Sequence, residues 1–213
     1  MHMENELHAL WLQLRDRLRD KHPMAREHGT LSLRLPGLNA MWFGHIDQTL
    51  PTRVNLKEPG AAAALHARIY VRRGDVGAIA QGVGVFGWRL PDMGGAMPEV
   101  FDEQARHLGR MGPEVRQGRG LDEALSAGGN VLLVDGVPVS LGTTGSRMAL
   151  NAELFEKCAK AYVLAVATGI PEQINCLGDR YILEKVFKHD FFAASALYHR
   201  EAKTTNSPSG PDR

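Results

Sequence analysis

The stretch that decides the fold is Leu65-His66-Ala67-Arg68-Ile69-Tyr70-Val71-Arg72-Arg73-Gly74-Asp75-Val76-Gly77-Ala78-Ile79-Ala80. Its first half continues an alanine-rich run that follows Pro59-Gly60, and this composition favours a helix through about Tyr70. Two arginines and a glycine follow at positions 72–74, where a helix end favours positive charge and a glycine cap. Residues 76–80 form a short apolar run typical of a buried strand. The stretch therefore predicts a helix, a turn and a strand in direct succession.

The sequence on both sides of this stretch continues the mixture of helices and strands. Upstream, residues 5–22 carry leucines at helical spacing and predict an amphipathic helix, and residues 30–56 predict short strands. Downstream, Asp135-Gly136 lies between two apolar runs and signals a hairpin with strands at 131–134 and 137–141. The other predicted elements are a glycine-rich loop at 82–98, a short helix at 99–109, a long helix at 147–168 and a helix at 179–199. Without any internal repeat, the simplest prediction is one α/β domain over residues 1–203, with a disordered polar tail at 204–213.

Composition excludes several classes of protein. The chain has 213 residues, of which 44% are hydrophobic and 23% charged, enough for a single compact core. Its 25 basic and 24 acidic residues nearly balance, so bulk charge gives no reason to expect nucleic-acid binding. Two cysteines are too few for a disulfide framework and suit a reducing cytoplasm. No apolar run approaches the roughly 18 residues of a membrane span.

Two glycine-containing motifs suggest ligand sites and also have simpler explanations. Residues 82–87 match the G-x-G-x-x-G dinucleotide pattern, but the residues that follow are poor helix formers, so a glycine-rich turn is the preferred interpretation. Residues 142–147 precede the long helix and could hold an anion at its first backbone amides. Ser146 acting as an N-cap explains the same residues more simply.

The nine histidines contain no H-x-H or H-E-x-x-H pattern of the kind that binds zinc. His66 falls within the predicted helix, and we expect it to be packed and hydrogen-bonded. His28, His45 and His189 are candidates for ligand contact or acid/base work. The remaining histidines are predicted to lie on the surface: His2, His8, His22, His107 and His199.

His66, Tyr70, Arg73 and Asp75 stand at a spacing that resembles the class II aldolase/adducin family. Residues 28–34 are similar to that family's phosphate loop. Residues 130–136 and 152–162 are similar to its later strand, turn and helix. The resemblance covers roughly residues 7–168 of the chain. It implies a single three-layer α/β/α domain with a central, mainly antiparallel sheet.

The family's metal site is altered at every position to which the resemblance extends. In that family, three histidines bind a divalent metal such as zinc, which polarises a sugar-phosphate carbonyl, while a glutamate handles the proton. The resemblance places the paired histidines on Gln81 and Val83, the third histidine on Asp135 and the glutamate on Ala62. Glu58, four residues before Ala62, would stand one helical turn away. Such a donor set does not suit zinc, so we predict no metal or other cofactor.

The family's phosphate site is also altered. Thr30 stands where the family has asparagine, and Gly44-His45 lie near its Thr-Gly pair, while its two serines fall on Gly60 and Ala61. Thr30, Gly44 and His45 are therefore the anion-binding candidates. His28, His45 and Asp135 are the candidates for catalytic residues.

These replacements predict a class II aldolase/adducin-like protein that has lost zinc-dependent aldolase and epimerase chemistry. It would bind a small metabolite or a protein partner in the former cleft. Two alternatives stay open. One is a lyase or isomerase acting on a small (phospho)sugar or hydroxy-carbonyl compound through a shifted or metal-independent site. The other is a metal-dependent lyase with a different ligand set, such as His28, His45 and Asp135. The residues leave open whether the protein is an enzyme.

The resemblance also implies how the chain assembles. Family members are mostly homotetramers with sites between subunits, so we expect a homo-oligomer. Trp11, Trp42, Trp88 and the apolar residues 187–197 could supply contacts between subunits, with packing inside one chain as the alternative. We expect a cytoplasmic protein with no nucleic-acid or membrane partner.

Overall fold

The computed structural model describes residues 2–22, 29–99, 101–168, 194 and 196. The helices and strands are, in chain order, α1 (His2–Lys21), β1 (Thr30–Arg34), β2 (Ala40–His45), β3 (Thr52–Asn55), α2 (Ala64–Arg72), β4 (Ala78–Gln81), α3 (Asp102–His107), α4 (Leu121–Ser126), β5 (Val131–Val134), β6 (Val137–Gly142) and α5 (Gly145–Ala167). Short 3₁₀ helices precede α2 at Ala61–Ala63 and α3 at Gly87–Met93.

The six strands form one sheet in the order β3-β2-β1-β4-β6-β5, and every neighbouring pair is antiparallel. Because side chains alternate between the faces of a strand, each face has its own apolar cluster. On one face, α2 and α4 pack on residues such as Ile79 and Val139. On the other face, α1 and α5 pack on residues such as Leu31 and Ala80. The three-layer α/β/α architecture with an antiparallel sheet is therefore confirmed.

Most of these helices, strands and turns were predicted from the sequence. The helix, turn and strand of residues 65–80 are present, and the hairpin at Asp135-Gly136 is confirmed, with φ values of 49° and 78° that suit its two-residue turn. The predicted loop at 82–98 contains a 3₁₀ helix, and the short helix α4 was not predicted. Ser146 does not cap α5: the helix begins at Gly145, so the Thr144 hydroxyl accepts the hydrogen bond from the Arg147 backbone N–H at 3.2 Å.

His22 was predicted to lie on the surface and the three tryptophans were considered for contacts between subunits, and the structure gives them contacts within the chain. His22 is buried, with 5% of its surface exposed, because the end of α1 packs near the acidic residues of α5. Trp11 is fully buried and donates its indole N–H to the Leu31 carbonyl at 3.0 Å, so it belongs to the core of a single chain. Trp42 and Trp88 are half-buried and donate to carbonyl groups within the chain.

Some predictions lie outside the described residues. They concern His28, His189, His199 and the tail 204–213, together with the helix 179–199 apart from its helical positions 194 and 196. In the part of the chain that is described, no helix is long and apolar enough to cross a membrane.

Candidate functional site

The pairing register brings three polar side chains into one row across the sheet. His45 on β2 lies opposite Thr30 on β1, and Thr30 lies opposite Gln81 on β4. Residues directly opposite each other in antiparallel strands point to the same face. These three side chains therefore lie on the face that α2 covers, and His66 of α2 contacts Thr30 and Gln81 there.

His66 is fully buried and bonded through both ring nitrogens. Its Nε2 lies 3.3 Å from Gln81 Oε1 and 3.1 Å from the Thr30 hydroxyl, and its Nδ1 lies 2.8 Å from the Ser32 hydroxyl. An amide oxygen can only accept, so Nε2 carries the proton and Nδ1 accepts from Ser32. Ser32 Oγ in turn accepts from the Tyr70 hydroxyl at 2.8 Å. His66 was predicted to be packed and hydrogen-bonded, and this is confirmed.

Burial keeps His66 neutral. Desolvation lowers its pKa from 6.5 to about 4, the hydrogen bond to Gln81 opposes this, and the nearby His45 adds to it. The edge of the ring also faces Phe43, with ring centroids 5.2 Å apart. At neutral pH this imidazole is thus a hydrogen-bonding group inside the fold and carries no charge.

The structure gives Gln81 and Val83 internal contacts. The Gln81 amide oxygen is directed to His66, and Val83 is 4% exposed within the apolar cluster that includes Trp11 and Ala152. Their positions, which the resemblance equates with paired histidines, therefore contribute to the hydrogen-bonding and packing of the interior.

Asp135 and Ala62 are both exposed. Asp135 forms the first position of the hairpin turn, and its Oδ1 accepts from the Gln117 backbone N–H at 2.5 Å. Ala62 lies in the 3₁₀ turn before α2, and Glu58 lies in the preceding turn. Glu58 therefore does not stand one helical turn from Ala62, as the sequence suggested, because the helix has not yet begun.

These residues do not fit the zinc site that the fold family implies. Within residues 2–22, 29–99 and 101–168, no three histidine, cysteine or acidic side chains lie close enough to share a metal ion. The neutral amide at position 81 and the valine at position 83 offer one weak donor where zinc requires two imidazoles.

His45 and Asp135, the two candidates for catalytic residues that the structure describes, do not come together within one chain. His45 belongs to the row that ends, four strands further on, at Leu132 of β5. Asp135 follows β5, so at least four strand spacings, roughly 19 Å, separate it from His45. An acid/base pair or a shared metal built from these two residues is not formed inside a single chain.

The anion-binding candidates have other partners in the fold. The Thr30 hydroxyl bonds to His66, and the His45 backbone N–H donates to Gln48 Oε1 at 3.1 Å. Gly44 allows close packing with α1, since a Cβ there would lie 2.8 Å from the ring of Trp11. Packing and internal hydrogen bonds thus involve the Thr30 hydroxyl, Gly44 and the backbone N–H of His45, and anion binding at these residues stays a prediction.

The glycine-rich turn after β4 binds a carboxylate of the chain itself. Glu156 of α5 accepts from the backbone N–H groups of Val85, Phe86 and Gly87 at 2.7, 2.9 and 3.2 Å. Gly84 has a φ of 98°, and a Cβ at this position would collide with the same carboxylate. The match to a dinucleotide pattern at 82–87 is therefore explained by contacts with α5.

Sequence reasoning missed Ser32, Tyr70 and Glu156 as members of these networks. Tyr70 lies four residues after His66 on α2, and Ser32 alternates with Leu31 and Leu33 on β1, so the two residues had local signals. Glu156 is about 70 residues away in sequence from the amides that it binds, and no local pattern connects them.

Comparisons with known proteins identify the fold. No protein-family model and no curated protein sequence matches the chain. Among solved structures, YgbL from Klebsiella pneumoniae matches with a TM-score of 0.68 and 19% identity, covering 86% of this chain and 98% of its own. An L-fuculose 1-phosphate aldolase matches with a TM-score of 0.72 and 16% identity, covering 86% of this chain and 96% of its own. An aldolase II superfamily protein from Pseudomonas syringae matches with a TM-score of 0.56 and 13% identity, covering 93% of each chain. The chain has a class II aldolase-like fold, as the resemblance in its sequence implied.

Proposed function

We propose that this chain is a class II aldolase-like protein that has lost zinc-dependent aldolase and epimerase chemistry and binds a small metabolite in the former cleft. The observation that carries the proposal is the contact between Gln81 Oε1 and His66 Nε2. A side chain in the place of a metal ligand is used instead to satisfy a buried imidazole.

The chemistry of the replaced positions supports the same conclusion. Cleavage next to a carbonyl develops negative charge on oxygen, which a metal cation or an array of donors must stabilise. Val83 has no polar atom, and a carboxylate at Asp135 would repel that charge. Ala62 cannot accept or donate a proton. The class II aldolase-like fold around these positions supports a role in ligand binding without the reaction.

Metal analysis tests the loss of zinc chemistry. The purified full chain is incubated with Zn²⁺, Mn²⁺ or Co²⁺, desalted and analysed for metal content. We expect retention far below one ion per chain. The matched control combines Ala62→Glu, Gln81→His, Val83→His and Asp135→His, which restores the donor set and should retain more zinc. Near-stoichiometric metal in the unaltered protein would contradict the proposal and favour a different ligand set.

A ligand screen tests the second half of the proposal. Thermal unfolding is measured with small sugar phosphates and hydroxy-carbonyl compounds, because a ligand that binds only the folded state raises the unfolding temperature. We expect a saturable increase for at least one of them, with amide shifts at residues 81–84 and 135–136. Metal-free turnover of such a compound would favour the lyase or isomerase alternative.

We also propose that the protein is a cytoplasmic homo-oligomer. Leu50 and Leu164 are at least half exposed, which is compatible with contacts between copies. Size-exclusion chromatography with light scattering at micromolar concentration tests this, and a monomer would contradict it.

A further inference from the structure

An open cavity of about 370 Å³ lies on the solvent side of α2. This volume is in the usual range for small-molecule sites. Its wall on one side is the turn after β3, with Leu56, Lys57 and Pro59, and on the other side it is α2. None of the positions equated with the family's metal ligands or glutamate lines it.

The geometry of α2 separates this cavity from the former cleft. Residues 66 and 70 direct their side chains to the sheet, as their hydrogen bonds to Ser32 show. Residues 68 and 72 are rotated from residue 66 by about 200° and 240° at 100° per residue, so they point away from the sheet. The cavity uses this outward face, and binding there would not depend on the state of Gln81.

Positive charge gathers at the cavity. Lys57, Arg68 and Arg72 line it, and among the described lining residues Asp122 is the acidic one. Asp122 is already paired with Arg72 at 2.5 Å. Arg68 donates to the Gly118 carbonyl at 3.5 Å. In the described part of the chain, no carboxylate forms an ion pair with Lys57 or Arg68.

The two arginines of α2 repel each other electrostatically. Arg68 and Arg72 are four residues apart on α2, where like charges repel one another. Asp122 compensates for only one of them. An anion placed between Lys57 and Arg68 would remove the remaining repulsion.

The cavity also offers an apolar surface. Val71 lies between the two arginines in sequence and is 71% exposed, and Leu56 and Pro59 face it across the cavity. An inorganic ion would leave this surface in water. A molecule with an apolar body and one anionic group would cover it while contacting the cations.

We infer that this cavity is a binding site for a small organic anion, with its carboxylate or phosphate on Lys57 and Arg68 and its apolar body on Val71, Leu56 and Pro59. The site is separate from the former cleft, so it stands or falls independently of the proposed function. Guanidinium groups pair well with both carboxylate and phosphate, which defines the ligand class.

The test uses ¹⁵N-labelled full-length protein at constant ionic strength. Phenyl phosphate, benzoate and the neutral benzyl alcohol are titrated separately, and amide shifts are followed. We expect saturable shifts at residues 67–72 with the two anions and weaker binding of the alcohol. Arg68→Gln should weaken binding of the anions about tenfold by removing a charge-assisted hydrogen bond. Val71→Asp, at an exposed position that tolerates a polar side chain, should abolish it.

The matched control is Arg53→Gln. Arg53 is exposed like Arg68, but it is paired with a carboxylate, Glu4 at 3.6 Å, and it lies on the face of the sheet that α1 covers. It should leave anion binding unchanged. Equal binding of benzyl alcohol, equal weakening by Arg53→Gln, or shifts that never saturate would each overturn the proposal. Amide shifts at residues 67–72 that change with protein concentration and not with ligand concentration would also overturn it. The surface would then be a contact between copies of the chain.

Discussion

Two parts of one motif behave differently in this molecule. Four residues carry the resemblance to class II aldolases: His66, Tyr70, Arg73 and Asp75. All four are buried and form hydrogen bonds or an ion pair within the fold. The residues at 81–83, a few positions further on, stand where the family's metal ligands would be and have no metal-ligating pattern. The motif therefore separates into residues that match the family pattern and stabilise the scaffold, and positions that the resemblance equates with metal ligands and that carry other residues here.

The Arg73–Asp75 pair shows what the scaffold part does. The two side chains are 4% and 3% exposed and form two parallel bonds of 2.8 Å. Arg73 also donates to the Gly129 carbonyl at 3.1 Å and lies 3.4 Å from Asn130 Oδ1. The pair thus connects the end of α2 to the segment that begins β5, across more than 50 residues of sequence.

The largest expected effect comes from breaking this pair. Asp75→Ala leaves the Arg73 charge buried without its carboxylate, and we expect a loss of about 3–5 kcal/mol in the free energy of unfolding. The matched control is Asp122→Ala, which removes the carboxylate from an exposed pair with Arg72 and should cost about 0.5 kcal/mol or less. Urea denaturation measures both changes. Similar losses in the two variants would show that burial does not distinguish the pairs.

The second prediction concerns pH and the buried imidazole. His66 has a pKa of 6.5 when unfolded and about 4 when folded, so the unfolded chain takes up a proton first as the pH falls. The free energy of unfolding is therefore unaffected by His66 above pH 6.5. It falls by about 3 kcal/mol in total as the pH is lowered from 6.5 to about 4. Most of this loss should be present at pH 4.5.

His66→Gln isolates this contribution, because glutamine does not titrate. We expect the variant to lose less stability than the unaltered protein between pH 7.5 and 4.5, measured by urea denaturation at both pH values. Burial also lowers the pKa of His22, but that residue is common to both proteins and cancels in the comparison. Equal losses would mean that His66 is protonated in the folded protein at pH 4.5 and that burial does not lower its pKa.

Local chemistry explains which parts of the fold were predictable. The hairpin at Asp135-Gly136 and the helix, turn and strand of residues 65–80 depend on neighbouring residues, whose turn preferences and periodicity are visible in the sequence. The N-cap of α5 was assigned to the wrong residue. Thr144 and Ser146 both have side chains suited to capping, and the sequence does not show at which residue the first turn begins.

The surroundings of the site were predictable only in part. The register that places His45, Thr30 and Gln81 in one row is a long-range property of three strands. His22 looked like a surface residue because charged residues precede it, yet α5 packs beside it. For the same reason, the role of residues 82–87 could not be decided without knowing that Glu156 lies against them.

The third prediction separates packing from ligand binding in the glycine-rich turn. Glu156→Ala removes the acceptor of three backbone N–H groups, and we expect a loss of about 2 kcal/mol in unfolding free energy. Glu153 is the matched control on the same helix, since its carboxylate pairs with the partly exposed side chains of Arg17 and Lys21. Glu153→Ala should cost about 0.5–1 kcal/mol. A smaller effect at Glu156 than at Glu153 would show that the turn holds its shape without the carboxylate.

The smallest expected effect concerns Asp135, the position that the resemblance equates with the family's third histidine. Asp135 has a φ of 49° and accepts a hydrogen bond from the Gln117 N–H, and asparagine can do both. Asp135→Asn should therefore change the unfolding free energy by less than about 0.5 kcal/mol. Asp135→Ala loses the acceptor and fits the left-handed conformation poorly, so it should cost about 1–2 kcal/mol.

The contrast between these two variants assigns a role to the charge at position 135. If asparagine is tolerated and alanine is not, the fold needs the geometry of the turn and not the carboxylate. Any change in ligand binding by Asp135→Asn would then report on the cleft alone, because stability is unchanged. A large loss of stability with asparagine would show that the Asp135 carboxylate stabilises the scaffold, as Arg73 and Asp75 do. The distinction between scaffold residues and positions equated with metal ligands would then fail at residue 135.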